Sequence, residues 1–279
     1  MCNIPIEILQ IIFDFVPNEL SKTNKQFYNL IKSRKILNAN NLNNMINYSK
    51  KIQNLNTLEI ASSPPNNNFN FKLLLDIKTL KYLKIGKGIV ITNNNLNSLF
   101  KLPNLSTLYL QDCKELTNNG FRNIPKIKKL VFLKISNCIN ISNKGIKYIS
   151  KIKNLKTLHI EYCYKVSDKS LEYISSLSNL KELSLFEYET ITENGLFYFS
   201  NLKMLEILKL NYCNDIKGTV LSNMSIVNKL LCLDLSNCNG ITDKGLYSIS
   251  KLTSLKKINF HENQLYQLDD VCERICKRA

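Results

Sequence analysis

Leu105-Ser-Thr-Leu108-Tyr-Leu110-Gln-Asp-Cys113 is the stretch from which the fold can be read. Twenty-five residues on, Leu130-Val-Phe-Leu133-Lys-Ile135-Ser-Asn-Cys138 repeats its pattern, and Leu155 to Cys163 repeats it again. Tyr188 takes the cysteine position in the next turn, and the series resumes at Cys213 and Cys238. The same step lands on Gly88 and Ser63 going backwards and on Asn263 going forwards, so nine turns over residues 52–264 share one register without an insertion. Alternation in each turn sends Leu108 and Leu110 inward, and Thr107, Tyr109 and Gln111 outward from a short strand.

A fixed period of this length is the signature of a solenoid, in which each coil buries its apolar face only against its neighbours. Each turn reads L-x-x-L-x-L-x-x-C followed by I-[ST]-[DN]-x-G-[LI], as in Ile141-Ser-Asn-Lys-Gly145-Ile146 and Ile241-Thr-Asp-Lys-Gly245-Leu246. This resembles the cysteine-containing subclass of leucine-rich repeats. The resemblance implies an α/β leucine-rich-repeat solenoid: a right-handed horseshoe with a parallel sheet on the concave face and helices on the convex face. Thr117, Ser142, Ser167, Thr192 and Thr242 are placed to cap the return helices, with Asp168, Glu193 and Asp243 favourable at the positive helix ends. Gly120, Gly145, Gly195 and Gly245 are read as sites of close helix approach.

The amino-terminal residues do not fit the ladder. Ile4-Pro-Ile-Glu-Ile8-Leu9-Gln-Ile-Ile12-Phe13-Asp-Phe-Val16 carries apolar residues at the spacing of an amphipathic helix behind Pro5, and Pro17 ends it. A second helical segment runs from Leu20 to Ile31. Residues 1–36 resemble an F-box, whose pattern opens L-P-x-E-[IL]-L-x-x-I-[FL] and closes on a K-x-[FW] element, here Lys25-Gln-Phe27. The interval from Val16 to Phe27 is about one helical turn, roughly 3.6 residues, shorter than in the family pattern. The alternative for this segment is a plain cap on the first coil, which solenoids need. Residues 37–51 form an asparagine-rich connector. Residues 265–279, with Leu265, Leu268, Val271, Cys272 and Ile275 at helical spacing, read as a carboxy-terminal capping helix.

An F-box ahead of cysteine-type repeats resembles the substrate receptors of Skp–cullin–F-box ubiquitin ligases. In that family the F-box docks on the Skp adaptor of the cullin complex, and the concave repeats hold a protein substrate for ubiquitin transfer by other subunits. By that resemblance Pro5, Ile8, Leu9, Ile12 and Phe13 carry adaptor contact. A plain protein-interaction scaffold and a basic nucleic-acid-binding protein are the competing classes.

The chain is 279 residues long with a formal charge of +16 and a pI near 9.4. Arginine occurs only at Arg34, Arg122, Arg274 and Arg278, so lysine supplies nearly all the cations, and asparagine and isoleucine are abundant alongside it. All three residues have A/T-rich codons. A composition bias accounts for the charge with lysines spread over loops and helix exteriors, and nucleic acid is not an expected partner. No run is apolar and long enough to span a bilayer, and the start lacks the form of a signal peptide; a cytoplasmic or nuclear location and no membrane partner are expected.

Nine cysteines without a secretory signal do not make a disulfide framework, and a position that also accepts Ser63, Gly88, Tyr188 and Asn263 is a turn-filler. His159 and His261 lie four coils apart and no C-x-x-C occurs, so neither a metal nor another cofactor is expected. No G-x-S-x-G, P-loop or H-E-x-x-H is present, and no catalytic residue is nominated. Function then rests on outward residues of the central strands, where aromatic side chains concentrate. Tyr109, Lys134, His159, Glu161, Tyr162, Phe186, Lys209 and Tyr212 are the expected substrate-binding patch. Such rings either anchor a partner or pack on one another along the sheet, and the sequence leaves both readings open.

Overall fold

A computed structural model describes residues 55–61, 70–187, 190–221 and 229–260. Pro5, Ile8, Leu9, Ile12 and Phe13, expected from the resemblance to contact an adaptor, the expected connector 37–51 and the carboxy-terminal residues 265–279 lie outside the described residues.

Among the described residues nine strands form one parallel sheet in chain order: β1 (Thr57–Ile60), β2 (Tyr82–Ile85), β3 (Thr107–Gln111), β4 (Phe132–Ser136), β5 (Thr157–Glu161), β6 (Glu182–Phe186), β7 (Ile207–Asn211), β8 (Cys232–Asp234) and β9 (Lys257–Asn259). Every paired residue faces the one a single repeat later, from Leu58 opposite Leu83 to Leu233 opposite Ile258. A one-residue slip would turn the whole apolar row outward, and the constant period prevents it. Leu83, Leu108, Leu133, Leu158 and Leu183 form one fully buried column, and Ile85, Leu110, Ile135, Ile160 and Leu185 form the next. Return segments cover the inner face. Their buried residues, such as Ile146 and Ile149 or Leu171 and Ile174, repeat at helical spacing.

The return segments are not uniformly α-helical. Asn93–Leu99, Asn143–Ile149, Asp168–Ile174 and Asp243–Ile249 are two-turn α-helices, whereas Phe71–Asp76, Asn118–Lys126 and Phe197–Asn201 are 3-10 segments. The three bulkiest fully buried side chains, Phe71, Phe121 and Phe199, all lie in 3-10 segments. A 3-10 turn is thinner than an α-turn and rises about 2.0 Å per residue against 1.5 Å, so a larger side chain is needed to reach the sheet. Pro125, inside the 3-10 stretch, also lacks the N–H that a longer α-helix would use.

The helix starts correct one expectation. Thr192 and Thr242 accept hydrogen bonds from Asn194 N–H and Gly245 N–H, but Thr117, Ser142 and Ser167 make no side-chain cap. Those hydroxyls are taken by the preceding coil. Asn143 Oδ1 accepts from Ser167 N–H at 2.9 Å, and Asn143 Nδ2 donates to Ser167 Oγ at 2.9 Å. Asn93 binds Thr117 and Asn118 binds Ser142 in the same way. At the next step the ladder residue is Asp168, which cannot donate, so the Thr192 hydroxyl donates to Oδ2 at 2.7 Å. That orientation leaves its lone pairs available to cap, as at Thr242, whose hydroxyl donates to the Lys217 carbonyl and likewise caps. The carboxylates of Asp168 and Glu193 likewise reach forward to the next coil, Glu193 accepting from Lys217, Gly218 and Val220 N–H and from the Thr219 hydroxyl.

The repeated glycine is explained by this ladder. A Cβ at Gly120 would lie 2.6 Å from Asn93 Oδ1, and one at Gly145 would lie 2.7 Å from Asn118 Oδ1. At these two coils the close approach is between glycine and a side-chain amide, at Gly195 it is to the Asp168 carboxylate, and at Gly245 it is to the Lys217 carbonyl. Where the repeat carries Ser170 instead, its buried hydroxyl donates to Asn143 Oδ1 at 2.5 Å.

The cysteine column occupies the strand-end turn. Cys113, Cys138, Cys163, Cys213 and Cys238 are buried. Cys113, Cys138 and Cys163 donate to the carbonyls of Gln111, Ser136 and Glu161, each two residues back. Burial pushes the Cys238 thiol up to about 11, and a hydrogen bond with Cys113 raises Cys138. Protonated thiols of this kind fill space and satisfy turn backbone.

Candidate functional site

Strand residues that point away from the helices make an open face in three columns, fixed by the one-repeat register. The middle column runs Glu59, Lys84, Tyr109, Lys134, His159, Ser184, Lys209, Asp234 and Asn259. Its flanks include Tyr82, Phe132 and Glu182 at strand starts, and Glu161 and Phe186 at strand ends.

Two rows of rings cross this face. In the first, Tyr82 and Tyr109 lie 5.2 Å apart, Tyr109 stacks on Phe132 at 4.7 Å, and Phe132 meets the His159 ring edge-on at 5.2 Å. In the second, Phe186 lies 5.1 Å from Tyr162 and 5.0 Å from Tyr212. Aromatic spacings of this size are favourable by about 0.5–1.5 kcal/mol per pair beyond their buried area. The rings thus do pack on one another, yet they remain half-exposed, and Tyr212 is 43% exposed.

Between the rows sits a paired charge network. Lys134 Nζ lies 2.6 Å from Glu161 Oε1. Glu182 Oε1 is shared by His159 Nε2 at 3.1 Å and Lys209 Nζ at 2.7 Å. The eight nominated residues therefore form one patch, six on strands β3 to β7 and two, Tyr162 and Tyr212, immediately past strand ends. Lys209 joins the others only through Glu182. Glu182 was not nominated; neither were Tyr82 and Phe132, which extend the first row. The contacts are diagonal, His159 to Glu182 spanning 23 residues and Lys209 to Glu182 spanning 27. A search for opposite charges one repeat plus or minus two residues apart finds them.

Hydrogen bonding from His159, with Lys209 beside it, holds the Glu182 carboxyl down at about 2 from its ordinary 4.5. A carboxylate so shifted stabilises the fold fully above its unfolded pKa, and this contribution is lost as pH falls through the folded value. The stability difference between wild type and Glu182→Gln is thus expected to be constant above about pH 5 and to shrink between about pH 4.5 and 2. Urea midpoints of both proteins across that range are the check; a pH-independent difference would contradict the pairing.

At the strand ends the backbone itself is unusual. Asp112, Asn137, Tyr162, Glu187, Tyr212 and Asn237 occupy one repeat position, and all have φ between 52° and 63°. Asp and Asn tolerate this left-handed conformation, but bulkier residues bear roughly 1–2 kcal/mol of strain. Tyr162 and Tyr212 are two of the three rings in the second aromatic row.

Among the described residues no group of three His, Cys, Asp or Glu side chains could hold a metal ion, and no helix is long and apolar enough to cross a membrane. The open face carries Lys84, Lys134, Lys209 and Lys257 against Glu59, Glu161, Glu182 and Asp234, so it is balanced in charge. The lysine excess lies away from this face.

No protein-family model matches the sequence, and no curated protein matches it. Among solved structures, an internalin C2 from Listeria monocytogenes superposes with a TM-score of 0.52 at 16% identity, over 74% of this chain and 80% of that one. Another internalin of the same bacterium, inlF, gives a TM-score of 0.38 at 14% identity, over 79% of this chain and 70% of that one. The first likeness, together with the nine-stranded parallel sheet and its return helices, establishes an α/β leucine-rich-repeat solenoid.

Proposed function

We propose that this chain is a leucine-rich-repeat scaffold that binds a protein partner across the open face of β3 to β7, through Tyr109, Lys134, His159, Glu161, Tyr162, Phe186, Lys209 and Tyr212. The observation that carries the reading is the second aromatic row. Tyr162 and Tyr212 hold their rings on left-handed backbone that the other coils give to Asp112, Asn137, Glu187 and Asn237, and the rings stay partly exposed beside Phe186. Backbone strain kept in order to present half-exposed rings is a mark of binding surfaces, and aromatic anchors dominate protein interfaces. The charges of the face neutralise one another, which leaves the rings to supply affinity and the ion pairs to supply register. Phe186→Ala and Tyr162→Ala are each expected to weaken binding of a partner captured by the wild-type chain by more than about 1 kcal/mol. Unchanged affinity in both variants would contradict the proposal.

A second reading places this scaffold in a Skp–cullin–F-box ubiquitin ligase as its substrate receptor. The observation favouring it is the order of the sequence: Pro5-Ile-Glu-Ile8-Leu9, Ile12-Phe13 and Lys25-Gln-Phe27 stand ahead of cysteine-type repeats. Pro5, Ile8, Leu9, Ile12 and Phe13 would then contact the adaptor. The wild-type chain co-expressed with a Skp-type adaptor is expected to co-purify with it, and the Leu9→Asp/Phe13→Asp variant is expected not to. Absence of wild-type co-purification, or its retention in the variant, rejects this reading and leaves the scaffold proposal standing.

A further inference from the structure

Composition alone reads the lysines as spread along the chain, but the fold gathers them. The loops that carry each return segment back to the next strand lie along one edge of the solenoid: residues 76–81, 101–106, 126–131, 151–156, 176–181, 201–206, 229–231 and 251–256. These segments hold fourteen lysines against two carboxylates, Asp76 and Glu206. The opposite edge, where strands turn into return segments, holds Lys87, Lys114, Lys165 and Lys217 against Asp112, Glu115, Glu187 and Asp215. A uniform codon bias does not separate two edges of one molecule in this way. Among the described residues, only Lys181 on the lysine edge is in a salt bridge, with Glu206 at 2.7 Å, and the other thirteen lysines are exposed.

The edge is also a built surface. Asn104, Asn154 and Asn179 donate to the carbonyls of Lys78, Lys128 and Lys153 one coil back, at 2.8 to 2.9 Å, and fix the loops to one another. A shallow groove of about 670 Å³ crosses five of these segments, lined in part by Lys81, Lys128, Lys129 and Lys156. Parallel strands stand about 4.8 Å apart, so the eight segments extend over roughly 34 Å, the length of about ten base pairs of a nucleic-acid duplex. None of the eight segments contains an aromatic residue, and two rings that border them, Tyr148 and Tyr247, lie under Lys151 and Lys251 at 5.9 and 4.4 Å, so the edge itself is built to present cations rather than rings for stacking unpaired bases or anchoring in a lipid interface. It contains no arginine, so the bidentate fork that reads guanine is absent.

We infer that this lysine edge binds the phosphate backbone of double-helical nucleic acid without regard to base sequence. The surface is separate from the open face, and the lysines act as point charges that displace condensed counterions.

The test uses the full chain and a fluorescently labelled 20-base-pair duplex of arbitrary sequence, followed by anisotropy over a range of salt. Lys128→Glu/Lys129→Glu/Lys153→Glu/Lys156→Glu is compared with Lys87→Glu/Lys114→Glu/Lys165→Glu/Lys217→Glu, which alters net charge equally on the opposite edge. The first variant is expected to lose at least about 100-fold in affinity near 0.1 M salt and to lower the salt slope by about 3 to 4, and the second to stay within about threefold of wild type. A second duplex of unrelated sequence is expected to bind equally. Equal losses in the two variants, tighter binding of a 20-nucleotide single strand, or capture by vesicles containing anionic lipid with no duplex binding would each overturn the inference.

Discussion

Replacing Phe121 by alanine is expected to lower the unfolding free energy by about 3–5 kcal/mol. The ring is fully buried in the 3-10 return segment Asn118–Lys126. Its repeat equivalents in the flanking coils are the smaller Leu96 and Ile146, also buried. A thin 3-10 turn stands off from the sheet, and neither neighbour has the bulk to fill the cavity left by the ring. Because a coil is stabilised only by its neighbours, the loss falls on both interfaces of the third coil, and the urea transition is expected to broaden or split as well as move. Ile146→Val, at the same repeat position in an α-helical coil, provides the comparison at about 0.5–1.5 kcal/mol. Circular dichroism across a urea titration measures both. A Phe121→Ala cost no greater than that of Ile146→Val would contradict the packing described.

Asn143→Leu is expected to cost about 3 kcal/mol, and Asn143→Asp less than about 1 kcal/mol. Leucine removes the acceptor of Ser167 N–H and of the Ser170 hydroxyl, and the donor to Ser167 Oγ. Ser170 is wholly buried, so its hydroxyl keeps no access to water, and an unmet buried donor costs about 1–3 kcal/mol. Aspartate retains both acceptors, and the Ser167 hydroxyl turns round to donate, as Thr192 does to Asp168. Its charge also lies favourably at the amino end of Asn143–Ile149. Equal costs for the two substitutions would contradict the ladder.

The period made the sheet legible in the sequence. Because Cys113, Cys138 and Cys163 are one repeat apart, the register of β3 to β5 followed by counting, and with it the outward columns. The asparagine ladder was harder to see. Asn93, Asn118 and Asn143 each stand just after a Thr or Ser that local rules make a helix cap, and only the stacking of coils shows that each amide claims the hydroxyl of the next coil, at Thr117, Ser142 and Ser167. The α versus 3-10 choice was likewise hidden, although Phe71, Phe121 and Phe199 mark the thinner segments once the structure is known. Glu182 escaped notice because it lies in the strand-start column while its partners His159 and Lys209 lie in the middle one. The lysine edge was invisible to composition, which counts charges without placing them; adding Lys78, Lys128, Lys153 and Lys203 at one repeat position would have found it.

The account rests on the open face as the partner-binding surface, and hydroxyl-radical footprinting of the complex with its captured partner tests that most directly. Phe197 and Tyr247, 50% and 61% exposed on return segments, serve as internal controls. Oxidation of Tyr109, Tyr162, Phe186 and Tyr212 is predicted to slow on binding while the two controls keep their free rates. Protection of Phe197 or Tyr247 with unchanged rates at Tyr162, Phe186 and Tyr212 would contradict it.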